Sequence, residues 1–217
     1  MKKGFVRDVA IWFFLWIVLW GGFLIVRYQG ITHTANPFIT SFYFLFASLI
    51  VIFTFRKHFH PFVKKFTVVP FIVLVVVLVA SVLVYIYANT HLTNPNIDVG
   101  NDLATEFIEM KYPYLLSKAF EILFQQTLIV LLVSFFIELK MPLKRAILTF
   151  VALFGAAHVA ALLIHGGVFG TYFLVFSIIG AFVFPELIER VNYGFVYAYI
   201  IHYGFYIVSG LAIWMLF

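Results

Sequence analysis

Seven apolar stretches, each long enough to cross a bilayer as a helix, constrain this chain more than any other feature. They run approximately over Val9–Val26, Phe38–Phe55, Phe66–Ala88, Tyr114–Ile137, Ala146–Ile164, Val168–Phe184 and Tyr193–Leu216. About 20 residues of helix match a hydrocarbon core ~30 Å thick, and a helix pairs its own backbone groups where no water can. Proline punctuates the pattern. Pro37, Pro113 and Pro142 stand just ahead of the second, fourth and fifth stretches, and Pro185 is expected to close the sixth. The expected fold is all-α: a polytopic membrane helix bundle of about seven transmembrane helices, one membrane domain over residues 1–217 without internal repeat or flexible linker.

Composition excludes a water-soluble alternative. The chain is 65% hydrophobic and 11% charged, with mean hydropathy +1.09, whereas soluble domains are nearer half apolar and a quarter charged. With no Cys, disulfides, thiol nucleophiles and thiolate metal sites are excluded.

The net charge of +5 reads as topology rather than nucleic-acid binding. Lys2, Lys3 and Arg7 precede the first stretch, and Arg56, Lys57, Lys64 and Lys65 lie between the second and third. Lys140, Lys144 and Arg145 lie between the fourth and fifth, and Arg190 between the sixth and seventh. The alternate side holds Arg27, Lys111 and an acidic loop with Asp98, Asp102, Glu106 and Glu109. The positive-inside rule then places the N-terminus in the cytoplasm and the C-terminus outside, with the plasma (inner) membrane as the expected location. The first stretch is too long for a cleaved signal, and "GGFLIVRYQG" offers no small-x-small site, so an uncleaved signal anchor is expected.

Polar residues inside the stretches are the functional candidates. "SKAFEILFQQTLIV" carries Glu121, an acid well inside a span, where a charge costs ~3 kcal/mol on insertion scales. Gln125 is one turn on and Lys118 nearly one turn back, so a local network, with Lys118 neutralising Glu121 and the glutamines bonding to neighbouring helices, is one reading. "FGAAHVAALLIH" carries His158 among small residues that admit another helix, and "HYGFY" carries His202, with Tyr199 and Tyr206 on its face. At 1.5 Å per residue, Glu121 lies about 10 Å below the outer end of its stretch. His158 and His202 lie about 18 Å and 14 Å above the inner ends of theirs. All three fall between the midplane and the outer half, which is the expectation for a shared site.

"FEILFQQ", "FGAAH" and "HYGFY" together resemble the three motifs of the CPBP family of intramembrane proteases, which includes the type II CAAX prenyl endopeptidases and the bacteriocin-immunity (Abi) proteins. The resemblance covers residues 114–210 and the family pattern is EExxxR, FxxxH and HxxxN. Phe154 and His158 fill the second motif and His202 opens the third. Phe120 stands at the first glutamate, Glu121 at the second, Gln125 at the arginine and Tyr206 at the asparagine.

The resemblance implies an intramembrane endopeptidase acting on a peptide or membrane-protein substrate. Glu121, His158 and His202 would be its catalytic residues, with Gln125, Phe154 and Tyr206 in support. Because the family's first glutamate is replaced, two versions stay open: Glu121 acts as base, or the chain is a non-catalytic relative that binds a partner, as an immunity scaffold would. Two imidazoles could position water and an oxyanion. The same 2-His-1-carboxylate set, Glu121, His158 and His202, could instead hold a divalent metal such as zinc, although no HExxH is present. The metal-free form, with no cofactor, is the expectation. A proton or ion relay is the third class, disfavoured by the lack of inverted repeats. Trp12, Trp16 and Trp20 form one stripe on the first stretch, expected to face lipid or packing partners rather than substrate.

Overall fold

A computed structural model describes residues 3–63, 68–93, 112–165 and 167–216. These residues form eight helices and no strand: α1 Lys3–Tyr28, α2 Pro37–Thr54, α3 Arg56–Val63, α4 Val68–His91, α5 Tyr112–Glu138, α6 Leu143–His165, α7 Gly167–Arg190 and α8 Gly194–Leu216. Among the described residues, six helices are long and apolar enough to cross a membrane, and the chain is an integral membrane protein built as an all-α bundle. The expected fifth stretch lies within α6, a helix of 23 residues. The acidic loop carrying Asp98, Asp102, Glu106 and Glu109 lies outside the described residues.

Two details differ from the sequence expectation. The loop after α2 holds a short helix, α3, whose His58 ring packs on Phe135 of α5. The sixth helix does not stop at Pro185; the apolar run ends there, but α7 continues to Arg190. Proline removes one hydrogen bond, to the carbonyl four residues back, and the last turn is supported by an Arg190–Glu186 pair at 3.1 Å.

The bundle is organised around α5. Within its membrane-spanning window 78% of residues are buried, against 6–33% for the other candidate spans. A helix that is apolar all round belongs inside the bundle rather than at the lipid surface. α2 runs parallel to α5 in a constant register, with Phe44 against Phe124 (5.9 Å between ring centroids) and Phe55 against Phe135 (5.8 Å). Thr40, Ser41, Phe44, Ala47, Ser48 and Val51 form the buried stripe of α2. Its small members let the two backbones approach, and dispersion contacts then hold helices together where lipid offers no hydrophobic drive. Ser41 and Ser48 return their hydroxyls to the carbonyls of Pro37 and Phe44 (2.7 and 2.8 Å), so no hydroxyl is left bare in the interface.

α8 runs antiparallel to α5. Tyr199 and Tyr203 donate to the carbonyls of Ala119 and Leu115, each at 3.1 Å. α1 is fastened by its tryptophan stripe: the Trp12 indole donates to the Leu128 carbonyl at 3.1 Å, and Trp20 packs on Phe44 and Phe124. Tyr43 donates to the Leu19 carbonyl at 2.5 Å, across a backbone that needs Gly22; a Cβ there would lie 2.7 Å from the Tyr43 hydroxyl.

Three turns use left-handed residues, among them Tyr193 (φ 62°) between α7 and α8. Gly30 (φ 85°) closes α1, and Ile31 donates back to Val26. Lys140 (φ 53°) does the same for α5, with Met141 donating to Phe136; both are Schellman-type ends that satisfy orphan carbonyls. α6 and α7 form a tight helical hairpin, in which a Cβ on Gly170 would sit 3.2 Å from the Leu162 Cα.

Candidate functional site

The sequence candidates fall into two adjoining groups. The first surrounds Glu121, three turns into α5 and 4% exposed. Its Oε2 accepts from the Lys118 ammonium at 2.8 Å and from His33 Nε2 at 2.9 Å. Its Oε1 accepts from the Gln125 amide at 2.7 Å. A buried carboxylate is tolerated when opposite charge and further donors compensate its lost hydration, and three donors do so here. Lys118 and Gln125 come from α5 itself, by the i, i+3 and i, i+4 spacing legible in the sequence.

His33 comes from the eight-residue connection between α1 and α2. Thr32 shapes that turn: its Oγ1 accepts from the Ala35 amide (3.1 Å), and its carbonyl accepts from Asn36 N–H (3.1 Å) and Thr40 Oγ1 (3.0 Å). The constrained loop turns the His33 ring inward, where Nδ1 meets Ser117 Oγ at 2.9 Å and the ring stacks on Phe44. Sequence reasoning did not single out His33. The available signal was a histidine in a short polar turn beside a carboxylate with too few donors.

The second group lines a pocket of about 100 Å³ between α6, α7 and α8. Phe154 and His158 enter from α6, His202 and Tyr206 from α8, and Phe176, Gly180 and Phe184 from α7. Phe154 packs beside His158 with ring centroids 4.7 Å apart. His158 Nδ1 lies 2.8 Å from the carbonyl of Phe154, one turn back, which can only accept. His202 Nδ1 lies 3.0 Å from Gln126 Nε2 on α5. Gln126 Oε1 is buried without a partner among the described residues.

The structure therefore brings Phe154, His158, His202 and Tyr206 to one pocket, while Glu121 and Gln125 are not among its lining residues. Tyr206 connects the two groups: the Lys118 ammonium stands over its ring, 4.4 Å from the centroid. Among the described residues, no three His, Asp or Glu side chains are arranged to hold a metal ion. The set Glu121, His158 and His202 does not fit a divalent cation, because the carboxylate does not line the pocket that the two imidazoles share and the Lys118 ammonium stands beside it.

A further polar cluster lies where α1, α3 and α5 meet, near the far end of α5. His58 sits between Asp8 Oδ2 (3.2 Å from Nε2) and Glu138 Oε1, which pairs with Nδ1; Lys57 also reaches Asp8 at 2.6 Å. Carboxylates only accept, so both ring nitrogens face acceptors. Phe135 caps the ring edge-on at 5.0 Å.

Compared with known proteins, the chain matches no family, no curated protein and no solved structure.

Proposed function

We propose that the chain is a membrane-embedded binding scaffold. Its pocket, at the junction of α6, α7 and α8, receives an apolar ligand or segment with a polar end. The observation that carries this reading is the state of Glu121. A general base must face water and substrate within hydrogen-bond reach, whereas this carboxylate accepts from Lys118, His33 and Gln125 and does not line the pocket. Its role is then that of a counter-ion holding α5, the α1–α2 turn and Lys118 together. The pocket walls are aromatic, and its polar groups are the two imidazoles, Ser177 and the Tyr206 phenol, a composition suited to holding a mostly apolar ligand in one orientation.

The second reading is the CPBP-type intramembrane endopeptidase. What favours it is the convergence of Phe154, His158, His202 and Tyr206, the residues matched to the second and third motifs, on a single pocket. On either reading the basic segments support a cytoplasmic N-terminus, an outer C-terminus and residence in the plasma membrane. The α1–α2 turn and Glu121 then lie towards the outer face, and the Asp8–His58–Glu138 cluster at the inner one.

The test is cleavage of a membrane-segment library by the purified protein, with and without chelator, alongside the stability of each variant. Expected is no turnover by the wild-type chain, and a Glu121→Gln variant that is less stable. Wild-type turnover that Glu121→Gln abolishes at unchanged stability would replace the scaffold with the endopeptidase. Turnover gained in Phe120→Glu/Gln125→Arg, and absent from the wild type, would mark a scaffold descended from one.

A further inference from the structure

The chemistry of the pocket's head end is fixed by what its two imidazoles already do. In a neutral imidazole one ring nitrogen donates and the other accepts. His158 Nδ1 faces the Phe154 carbonyl at 2.8 Å and must donate to it, so its Nε2 carries a lone pair. His202 Nδ1 receives the Gln126 amide at 3.0 Å, so its Nε2 carries the proton. Among the described residues neither Nε2 has a hydrogen-bond partner within the protein, and neither is sealed away from the pocket. The two rings thus offer the pocket one acceptor and one donor.

The pocket is also open sideways. Phe176, Ile179, Val183 and Ile201 line it and are at the same time 36–50% exposed on the apolar outer surface. These residues lie in the middle of their helices, so the opening faces lipid. A space of about 100 Å³ is smaller than the ~150 Å³ cavity that accommodates benzene. It holds a head group and the first few carbons, and the rest of the molecule must lie along the opening.

We infer that this pocket takes from the bilayer an uncharged amphiphile whose head both donates and accepts a hydrogen bond, a hydroxyl or an amide on an apolar chain. The inference rests on the binding role proposed above and gives its ligand class. A carboxylate would face the His158 lone pair, and an ammonium would face the His202 N–H. A plain alkane would leave both nitrogens unpaired.

The experiment uses the full chain in lipid nanodiscs with ¹⁵N-labelled histidine. Decan-1-ol, decanamide, decanoate, decylamine and decane are titrated while the ring nitrogens of His158 and His202 are followed. Expected are His158 as the Nδ1–H tautomer and His202 as the Nε2–H tautomer, both moving saturably with decan-1-ol or decanamide. Decane, decanoate and decylamine should bind about tenfold more weakly, the contribution of two neutral hydrogen bonds. The alcohol and amide arms tell which head is preferred.

His158→Phe keeps the ring volume and deletes the acceptor, so it should bring decan-1-ol close to decane. Gly180→Leu, which fills the pocket from α7, should abolish both. Decane binding as tightly as decan-1-ol would overturn the head-group inference and leave the binding pocket standing. Preference for decanoate, or lone pairs on both Nε2 atoms, would overturn it as well. Failure of every probe to move either ring, with the protein folded, would sink the pocket reading and the inference together.

Discussion

If Glu121 is a structural counter-ion, neutralising it should cost stability in a pattern that a catalytic role would not produce. Glu121→Gln keeps the shape of the side chain and can still accept from one donor. It leaves the ammonium of Lys118, a residue only 8% exposed, without its opposite charge. Breaking a buried ion pair from one side costs ~3–5 kcal/mol, most of it the penalty of the stranded partner. Against a total of ~5–15 kcal/mol for a typical domain, that is a large fraction.

Lys118→Met should cost less, because His33 and Gln125 still donate to the carboxylate at 2.9 and 2.7 Å. The double variant Lys118→Met/Glu121→Gln removes both charges. It should be more stable than Glu121→Gln alone, giving a coupling of about 2 kcal/mol within the 0.5–3 kcal/mol range seen for contacting residues. The assay is reversible unfolding in mixed micelles, read by Trp fluorescence across the four proteins of the cycle. Glu121→Gln within about 0.5 kcal/mol of the wild type, or strict additivity in the cycle, would refute the counter-ion argument.

Two further outcomes follow from the helix contacts and the charge pattern. Gly22→Ala should destabilise by ~1–3 kcal/mol, as overpacking does, because the new Cβ would lie 2.7 Å from the Tyr43 hydroxyl; Tyr43→Phe in the same chain should recover part of that loss, measured in the same unfolding assay. In spheroplasts of a host expressing the chain, Thr90→Cys should react with a membrane-impermeant thiol reagent from outside, and Lys140→Cys only after permeabilisation. The reverse accessibility would invert the topology.

The helices were legible because periodic structure in lipid leaves a run of apolar residues that composition alone reveals. Proline was a weaker guide. Pro37 does open α2, yet Pro185 lies inside α7, since a helix can carry one missing bond where its neighbours continue. The α5 network was half legible. Lys118, Glu121 and Gln125 sit at helical spacing, and their pairing follows from it. His33 was not, because its contact crosses 88 positions of sequence and depends on the conformation of an eight-residue connection. The same holds for Asp8, His58 and Glu138, three residues on three helices whose only sequence mark is acids in or beside basic flanks. The depth argument for Glu121, His158 and His202 used rise per residue alone, which carries no information on direction. Depth along a helix follows from rise per residue, but the side from which each helix meets its neighbours is set by packing.

The distribution of polarity along α5 bears on the relay reading. Ser117, Lys118, Glu121, Gln125, Gln126 and Thr127 crowd residues 117–127, and Ser134 and Glu138 stand near its end. Between them, residues Leu128 to Val133 are six consecutive aliphatic side chains, each at most 5% exposed. Six residues rise about 9 Å, further than a single water can bridge, and α5 offers no side-chain donor or acceptor across that gap. Along α5 itself, the Glu121 network and the His58 cluster are separated by close-packed leucine, isoleucine and valine. Each cluster instead ties α5 to other parts of the chain at its own end: His33 from the α1–α2 turn at one, Asp8 from α1 and His58 from α3 at the other. Two such ties fix the central helix in rotation and register, which dispersion contacts with α2 alone would leave free to slip. The α6–α8 face meets α5 through the Tyr199 and Tyr203 hydroxyls, the Gln126–His202 bond and the Lys118 ammonium over the Tyr206 ring. The pocket between α6, α7 and α8 therefore adjoins the Glu121 network through Tyr206 and lies apart from the His58 cluster.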